Sequence, residues 1–146
     1  MTEVDFHFNV PDKLMYACRF LRKATHRGVP VAVTAPADVL KQLDALLWTF
    51  SVHEFVPHAL ATDEAHVKAA SPVLLCESVT DSTHRQILLN LDEQVPAGFE
   101  QFDRVIEIVS EADMPDRQFA RGRWKHYAST GLKLTRHDIA TKKATE

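Results

Sequence analysis

Between Arg117 and Tyr127 the chain reads RQFARGRWKHY, which places four cations, one histidine and three aromatics in eleven residues without a single acid. A guanidinium can hold a carboxylate through two parallel hydrogen bonds, and an adjoining aromatic offers a flat apolar wall. That combination suits a peptide carrying acids and an aromatic ring, or single-stranded nucleic acid with its phosphates and stacking bases. Composition leaves both ligands open. The setting sharpens the contrast: residues Asp92 to Asp116 hold eight acids and one base, whereas Arg117 to Arg136 holds six bases and no acid.

Spacing groups these side chains further. On a helix beginning near Met114 or Pro115, where proline is accepted in the first turn, Arg117, Arg121, Trp124 and Lys125 stand at i, i+4, i+7 and i+8, along one face. Ala120, Arg123 and Tyr127 fall on a different stripe, and Gly131 is a suitable stop. The plainer reading is a solvated amphipathic helix whose cations lie toward its C-terminal half, where the macrodipole favours them, with Trp124 packed on the core. A second unusual run is LLWTFSVHEFVPHAL, residues 46–60, in which Trp48, Phe50, Val52, Phe55, Val56 and Pro57 crowd a segment with two histidines and one acid. Such side chains either pack beneath a sheet edge or, if Phe55 and Pro57 are exposed together, mark a partner site.

Other chemistries lack their residues. The four glycines, Gly28, Gly98, Gly122 and Gly131, are scattered, and the turn after the first apolar strand reads NVPDK. A phosphate cradle needs glycines there so that backbone can approach the ligand, so no nucleotide cofactor is expected. His53 and His58 lie near Glu54, and His84 follows Asp81, but no HExxH-type spacing pairs them and no cysteine joins them, so no metal is expected. Asp81, Ser82 and His84 are too close in sequence to form a nucleophile triad, and no GxSxG elbow occurs. The acids Asp5, Asp38 and Asp44 have no distinguishing context. No catalytic constellation emerges; a small α/β enzyme is the weakest reading.

The elements that must position the basic run are read from periodicity. VDFHFN alternates Val4, Phe6 and Phe8 against polar residues, the period of a strand. PDKLMYACRFLRKATHRG follows, with Asp12 as N-cap, apolar Leu14, Ala17, Cys18, Leu21 and Ala24, and Gly28 as exit. The β-branched VPVAVTA (29–35) and the helical PADVLKQLDALLWTF repeat the unit, and two successive βα units favour a parallel sheet. SPVLLCES, QILLNLD and DRVIEIVS are further strands, and ATDEAHVKAA (61–70) reads as a surface loop or irregular turn. The expected fold is therefore α/β: a three-layer, mostly parallel Rossmann-like sheet with helices on both faces and no nucleotide-binding glycine loop. With 146 residues, 45% hydrophobic and 25% charged, the chain suits a single domain, residues 1–146, with 137–146 as an irregular tail.

A net charge of −3 and a pI near 6.2 argue against a basic coat for duplex binding. The two cysteines, Cys18 and Cys76, lie in apolar stretches and read as reduced buried thiols, which points to the cytoplasm. The acidic opening MTEVDFHFNV has no leader character, and no stretch is long and apolar enough to span a bilayer.

With these stretches laid out, the chain resembles the chi-subunit family of bacterial DNA polymerase III over nearly its whole length. The likeness is carried by the strand FHF, the helix end LDALLW, the loop FVPH, the strand ILLNL and the closing ARGRWKHYASTG. The resemblance implies a non-catalytic clamp-loader accessory subunit acting in DNA replication. It would grip the disordered acidic C-terminal tail of single-stranded DNA-binding protein, which ends in proline and phenylalanine, and so contact DNA indirectly. The matching tail-binding positions are Arg117, Arg121, Trp124 and Lys125; Arg117 stands where the family has a lysine and Trp124 where it has a tyrosine. The family's psi subunit uses the FVPH region, where Phe55 matches the key aromatic and Trp48 and Pro57 are neighbours. A DNA-repair helicase is a further family partner on that surface.

Overall fold

Alternating apolar residues build β1 (Glu3–Val10), and the 3.6-residue period that follows builds α1 (Lys13–His26), whose N-cap Asp12 accepts a hydrogen bond from the Met15 amide at 3.1 Å. The chain continues through β2 (Val31–Thr34), α2 (Ala37–Thr49), β3 (His58–Leu60), α3 (Ala65–Ala70), β4 (Val73–Cys76) and β5 (Ile87–Asn90). It ends with β6 (Arg104–Ser110), α4 (Met114–Ser129) and β7 (Lys133–Asp138). The structure is a computed structural model that describes residues 2–49, 56–60, 62–82 and 84–140.

The strands form one seven-stranded sheet in the order β3-β4-β2-β5-β6-β1-β7, and every pairing is parallel. Its central strands are buried on both faces, which is why β2 and β4 read as unbroken apolar runs. Successive residues then supply opposite layers. Val31 and Val33 join a core with Cys18 and Leu21 of α1 and Leu43 and Leu47 of α2, whereas Ala32 faces the other layer with Ala120 and Tyr127 of α4. The expected three-layer α/β architecture is the one observed.

Three local expectations differ. The interval 61–70 was expected as a loop, yet Ala65–Ala70 forms α3; its apolar positions are too few for periodicity to show in six residues. The strand β3 is three residues long and the strand β7 reads KLTRHD, without an apolar alternation. Both are edge strands, where one open side tolerates charge and short length, so neither carries a core signal. Regular structure also runs through Asp138, inside the segment expected to be irregular, and Ile139 packs on the α1/α2 core. Residues 141–146 lie outside the described residues.

Adjacent β1 and β6 send their following helices to opposite faces, the kind of position at which open α/β sheets hold ligands at their carboxyl ends. Here that crevice is crossed by an ion pair between Lys13 Nζ and Asp116 Oδ1 at 2.8 Å, while Asp116 Oδ2 accepts the Ser110 amide at 2.9 Å. Asp12 and Asp113, the caps of α1 and α4, add two carboxylates. A phosphate would meet like charge there.

Two glycines make opposite predictions. Gly98 has φ +87°, and a Cβ on it would lie 2.7 Å from Val79 Cγ2, so Gly98→Ala should destabilise by about 2 kcal/mol. Gly122 lies inside α4 with open space where its Cβ would be, so Gly122→Ala should stabilise by about 0.5–1 kcal/mol. Urea denaturation of the two variants checks both signs.

Candidate functional site

The basic run forms α4, sixteen residues long, with the Asp113 carboxylate accepting the Asp116 amide at 3.1 Å and Pro115 in the first turn. Thr130 caps the far end and Gly131 follows with φ +77°. These bounds are those expected from the sequence.

The orientation of α4 is set by a buried polar cluster. Glu107 sits in the middle of β6 among Val105, Ile106, Ile108 and Val109, fully buried. Its Oε1 accepts Arg123 Nε at 2.9 Å, and its Oε2 accepts the Tyr127 hydroxyl at 2.7 Å and Asn90 Nδ2 at 2.9 Å. Arg123 also donates to the Glu93 carbonyl at 3.1 Å, and Asn90 Oδ1 accepts from Thr34 and from the Asp92 amide. Burial pushes the Glu107 carboxyl above its ordinary range, opposed by the Arg123 guanidinium and by the Asn90 and Tyr127 hydrogen bonds. Burial, with the Glu107 charge beside it, likewise raises the Tyr127 hydroxyl. Arg123, only 2% exposed, is therefore a bolt between helix and sheet, although the sequence counts it among the cations of the basic run.

With the stripe of Ala120, Arg123 and Tyr127 turned inward, a spacing of about 100° per residue brings Arg117, Arg121 and Trp124 to one flank, with Lys125 farther outward. Trp124 is half-buried and meets Phe6 of β1 edge-on, ring centroids 5.0 Å apart. The indole is thus neither sealed in the core nor fully in solvent. Arg117 is half-buried and donates to the Glu111 carbonyl at 2.9 Å, whereas Arg121 and Lys125 are exposed. Arg121 makes no side-chain hydrogen bond or ion pair among the described residues.

Reading the sequence missed one cation beside this flank. Arg136, on β7, holds its guanidinium carbon 5.1 Å from the centroid of the Phe8 ring and 5.9 Å from that of Trp124. The register of the sheet explains this: Phe6 pairs with Arg136 on one side and with Glu107 on the other, so both lie in one lateral row beneath α4. Arg123 had a signal in the sequence, a cation at i+3 of an inward stripe matched by a lone acid in the apolar strand RVIEIVS. Arg136 had none.

At the second expected surface, Trp48 is 61% exposed at the end of α2 and Pro57 is exposed, whereas Val56 is buried. Phe55, with Phe50, Val52 and His53, lies outside the described residues. His58 is not a surface histidine: its ring is held between the Val56 carbonyl at 2.8 Å and Asp44 at 2.7 Å, and stands edge-on to Trp48 at 5.6 Å. An open cleft of about 630 Å³ runs between α2 and the carboxyl ends of β3 and β4, floored by Leu40, Leu60 and Leu75 and rimmed by Asp38, Lys41 and Glu77.

The remaining candidates form ordinary local contacts. Ser82 Oγ accepts the His84 amide at 3.0 Å, closing a turn, and the His84 ring bonds the Ser71 carbonyl at 2.9 Å. Asp5 is ion-paired with Arg104. Cys18 and Cys76 are buried free thiols, and burial pushes Cys18 up to about 11. Among the described residues no three His, Cys, Asp or Glu side chains converge as a metal site, and no helix is long and apolar enough to cross a membrane.

The different placements of Arg121 and Arg123 predict different costs. Arg123→Met should destabilise the fold by about 3–5 kcal/mol by leaving Glu107 buried without its counter-charge, whereas Arg121→Ala should stay within about 0.5 kcal/mol of the parent. Chemical denaturation monitored by tryptophan fluorescence measures both.

The family described as DNA polymerase III chi subunit, HolC, matches residues 1–135. DNA polymerase III subunit chi of Pseudomonas aeruginosa is 34% identical over 145 residues, covering 95% of this chain and 98% of the relative. The protein of that name from Haemophilus influenzae is 23% identical over 124 residues, covering 84% of this chain and 85% of the relative.

Proposed function

This chain belongs to the chi-subunit family of DNA polymerase III, and on that premise we propose that it is a non-catalytic adaptor. In this reading it captures the acidic C-terminal tail of single-stranded DNA-binding protein on the α4 flank and is joined to the clamp loader through psi. Its place in DNA replication rests on family membership; the two contacts are what the family resemblance implies, and the features of the two surfaces support them.

The observation that carries tail capture is the pairing of an exposed Arg121, with its donors unused among the described residues, and a half-buried Trp124 one turn further on. The terminal carboxylate of the tail pairs with Arg121, and its last aromatic ring lies against Trp124. Arg117 and Lys125 attract the acids upstream. A charge-assisted hydrogen bond contributes about 1.5–3 kcal/mol and an exposed ion pair about 0.2–1 kcal/mol, so Arg121 outweighs the flanking cations. Direct binding of single-stranded DNA along the same helix is disfavoured by Asp113 and Asp116 in and before its first turn, with Glu111 just upstream. These carboxylates interrupt any phosphate track.

For psi, supporting features are the exposed Trp48 and Pro57 and the apolar cleft beside α2. Phe55 is the third residue of that proposal. The same surface is the proposed seat of a repair helicase when psi is not there. The two surfaces lie toward opposite edges of the sheet: α4 packs on β6 and β7, whereas Pro57 directly precedes β3. Six strand spacings separate β3 from β7, roughly 29 Å.

Isothermal calorimetry with a peptide of the tail tests the first contact. Arg121→Ala should weaken binding on the order of ten- to a hundredfold, and raised salt should weaken it as well; unchanged affinity removes Arg121 from the site. For the second contact, Phe55→Ala should abolish co-purification with psi and leave tail affinity intact. Loss of both, together with a lower melting temperature, would show instead that Phe55 supports the fold.

A further inference from the structure

The row of side chains that crosses the sheet beneath α4 runs Thr34, Asn90, Glu107, Phe6, Arg136, from β2 through β5, β6 and β1 to the edge strand β7. Paired residues in a parallel sheet point to the same face, so all five lie on the α4 side. The first three close on one another and on Arg123 and Tyr127. Phe6 supports Trp124. Arg136, at the end of the row, has no acid opposite it.

Two rings lie against it, and the acid on the same face of β7, Asp138, in register with Phe8, accepts from Asn9 Nδ2. The guanidinium lies over Phe8 and over Trp124, and Arg136 makes no side-chain hydrogen bond or ion pair among the described residues. Ring contact fixes the position of a guanidinium through its face while its N–H donors, which lie in its plane, remain available at the edge. An arginine held this way loses less conformational freedom when it pairs with an anion than one extended into water. The site already described thus has two arginines with unused donors beside one indole: Arg121, one turn before Trp124 on the helix, and Arg136, against the ring on the strand.

We propose that Arg136 is a second carboxylate-binding residue of this site, gripping the free C-terminal carboxylate of an acidic peptide whose terminal ring lies against Trp124. The assignment deepens the tail-capture reading and rests on it for the identity of the peptide. Phe8 is the positioning residue that holds Arg136 in place. Charge complementarity selects this occupant. A carboxylate accepts a fork of N–H donors in one plane, and the ring beside it keeps the pair out of water. A phosphate track would instead continue toward Glu111, Asp113 and Asp116, where it meets like charge.

The experiment compares the full chain with its Arg136→Ala, Arg136→Lys and Arg121→Ala variants by calorimetry, using an acidic peptide ending in Pro-Phe as free acid and as C-terminal amide. Arg136→Ala should weaken the free acid about tenfold and the amide less than about twofold, the difference expected for one charge-assisted pair. Arg136→Lys should recover only part of the loss, because an ammonium restores charge without the planar fork. An Arg136→Ala variant that binds the free acid as tightly as the parent overturns the assignment, as does equal loss for acid and amide. Loss of oligo(dT) binding with peptide binding unchanged also overturns it, and would make Arg136 a phosphate contact.

If the parent binds neither peptide, tail capture fails, and the assignment is then decided with N-acetylphenylalanine and its amide by NMR of the arginine side-chain Nε–H groups. A shift of the Arg136 resonance with the acid alone supports it, and no shift sinks it. A melting temperature within a degree or so of the parent, the expectation for an exposed side chain, separates lost binding from lost fold.

Discussion

The ion pair between Glu107 and Arg123 is the constraint from which the rest of the molecule takes its orientation. A carboxylate in the centre of an apolar strand is costly unless donors reach it, and here three side chains do so, from β5 and from α4. Because only one rotation of α4 lets Arg123 and Tyr127 reach the same carboxyl group, the helix is fixed about its own axis as well as pressed onto the sheet. Apolar packing alone would hold α4 against β6 with a weaker preference for which stripe faces inward.

That rotation divides one cationic segment into two kinds of side chain. Arg123 belongs to the interior, where its charge is neutralised by a partner that water cannot reach. Arg121, two residues earlier, is turned by about 200° relative to it and meets solvent, its donors unused among the described residues. Trp124 lies between these extremes. Its edge-on contact with Phe6 supports the indole from below, and the contact with Arg136 comes from the sheet edge. A ring supported in this way presents apolar surface without needing to rearrange for a ligand, which limits the entropy lost on binding.

The same sheet keeps two surfaces apart. Its order places β3 and β7 at opposite edges, so that the end of α2 with Trp48 and Pro57 is remote from the cationic flank of α4. The carboxyl-end crevice between β1 and β6, which in other open sheets can receive a cofactor, is crossed here by Lys13 and Asp116. The architecture thus holds the end of α2 and the flank of α4 toward opposite edges of one sheet. This accords with family membership in a polymerase assembly.

The sequence by itself determined the elements whose apolar periods are long. The alternation of Val4, Phe6 and Phe8, the two βα units and the capped span from Asp113 to Gly131 each bury a face, and a buried face must repeat with the geometry of its element. It also grouped Arg117, Arg121, Trp124 and Lys125, because spacing along a single helix is a local property. What only the tertiary structure decided is what depends on neighbours distant in sequence. The edge strands β3 and β7 bury too little to leave a period. Spacing set Arg123 on a stripe apart from the other cations, but its partner, Glu107, sixteen residues earlier on β6, is fixed only by the packing of α4 on the sheet. Arg136 comes beside Trp124 only through its register with Phe6, a partner 130 positions away in a strand formed at the other end of the chain. Lateral register in a parallel sheet is set by pairing across the whole fold, and no local pattern encodes it.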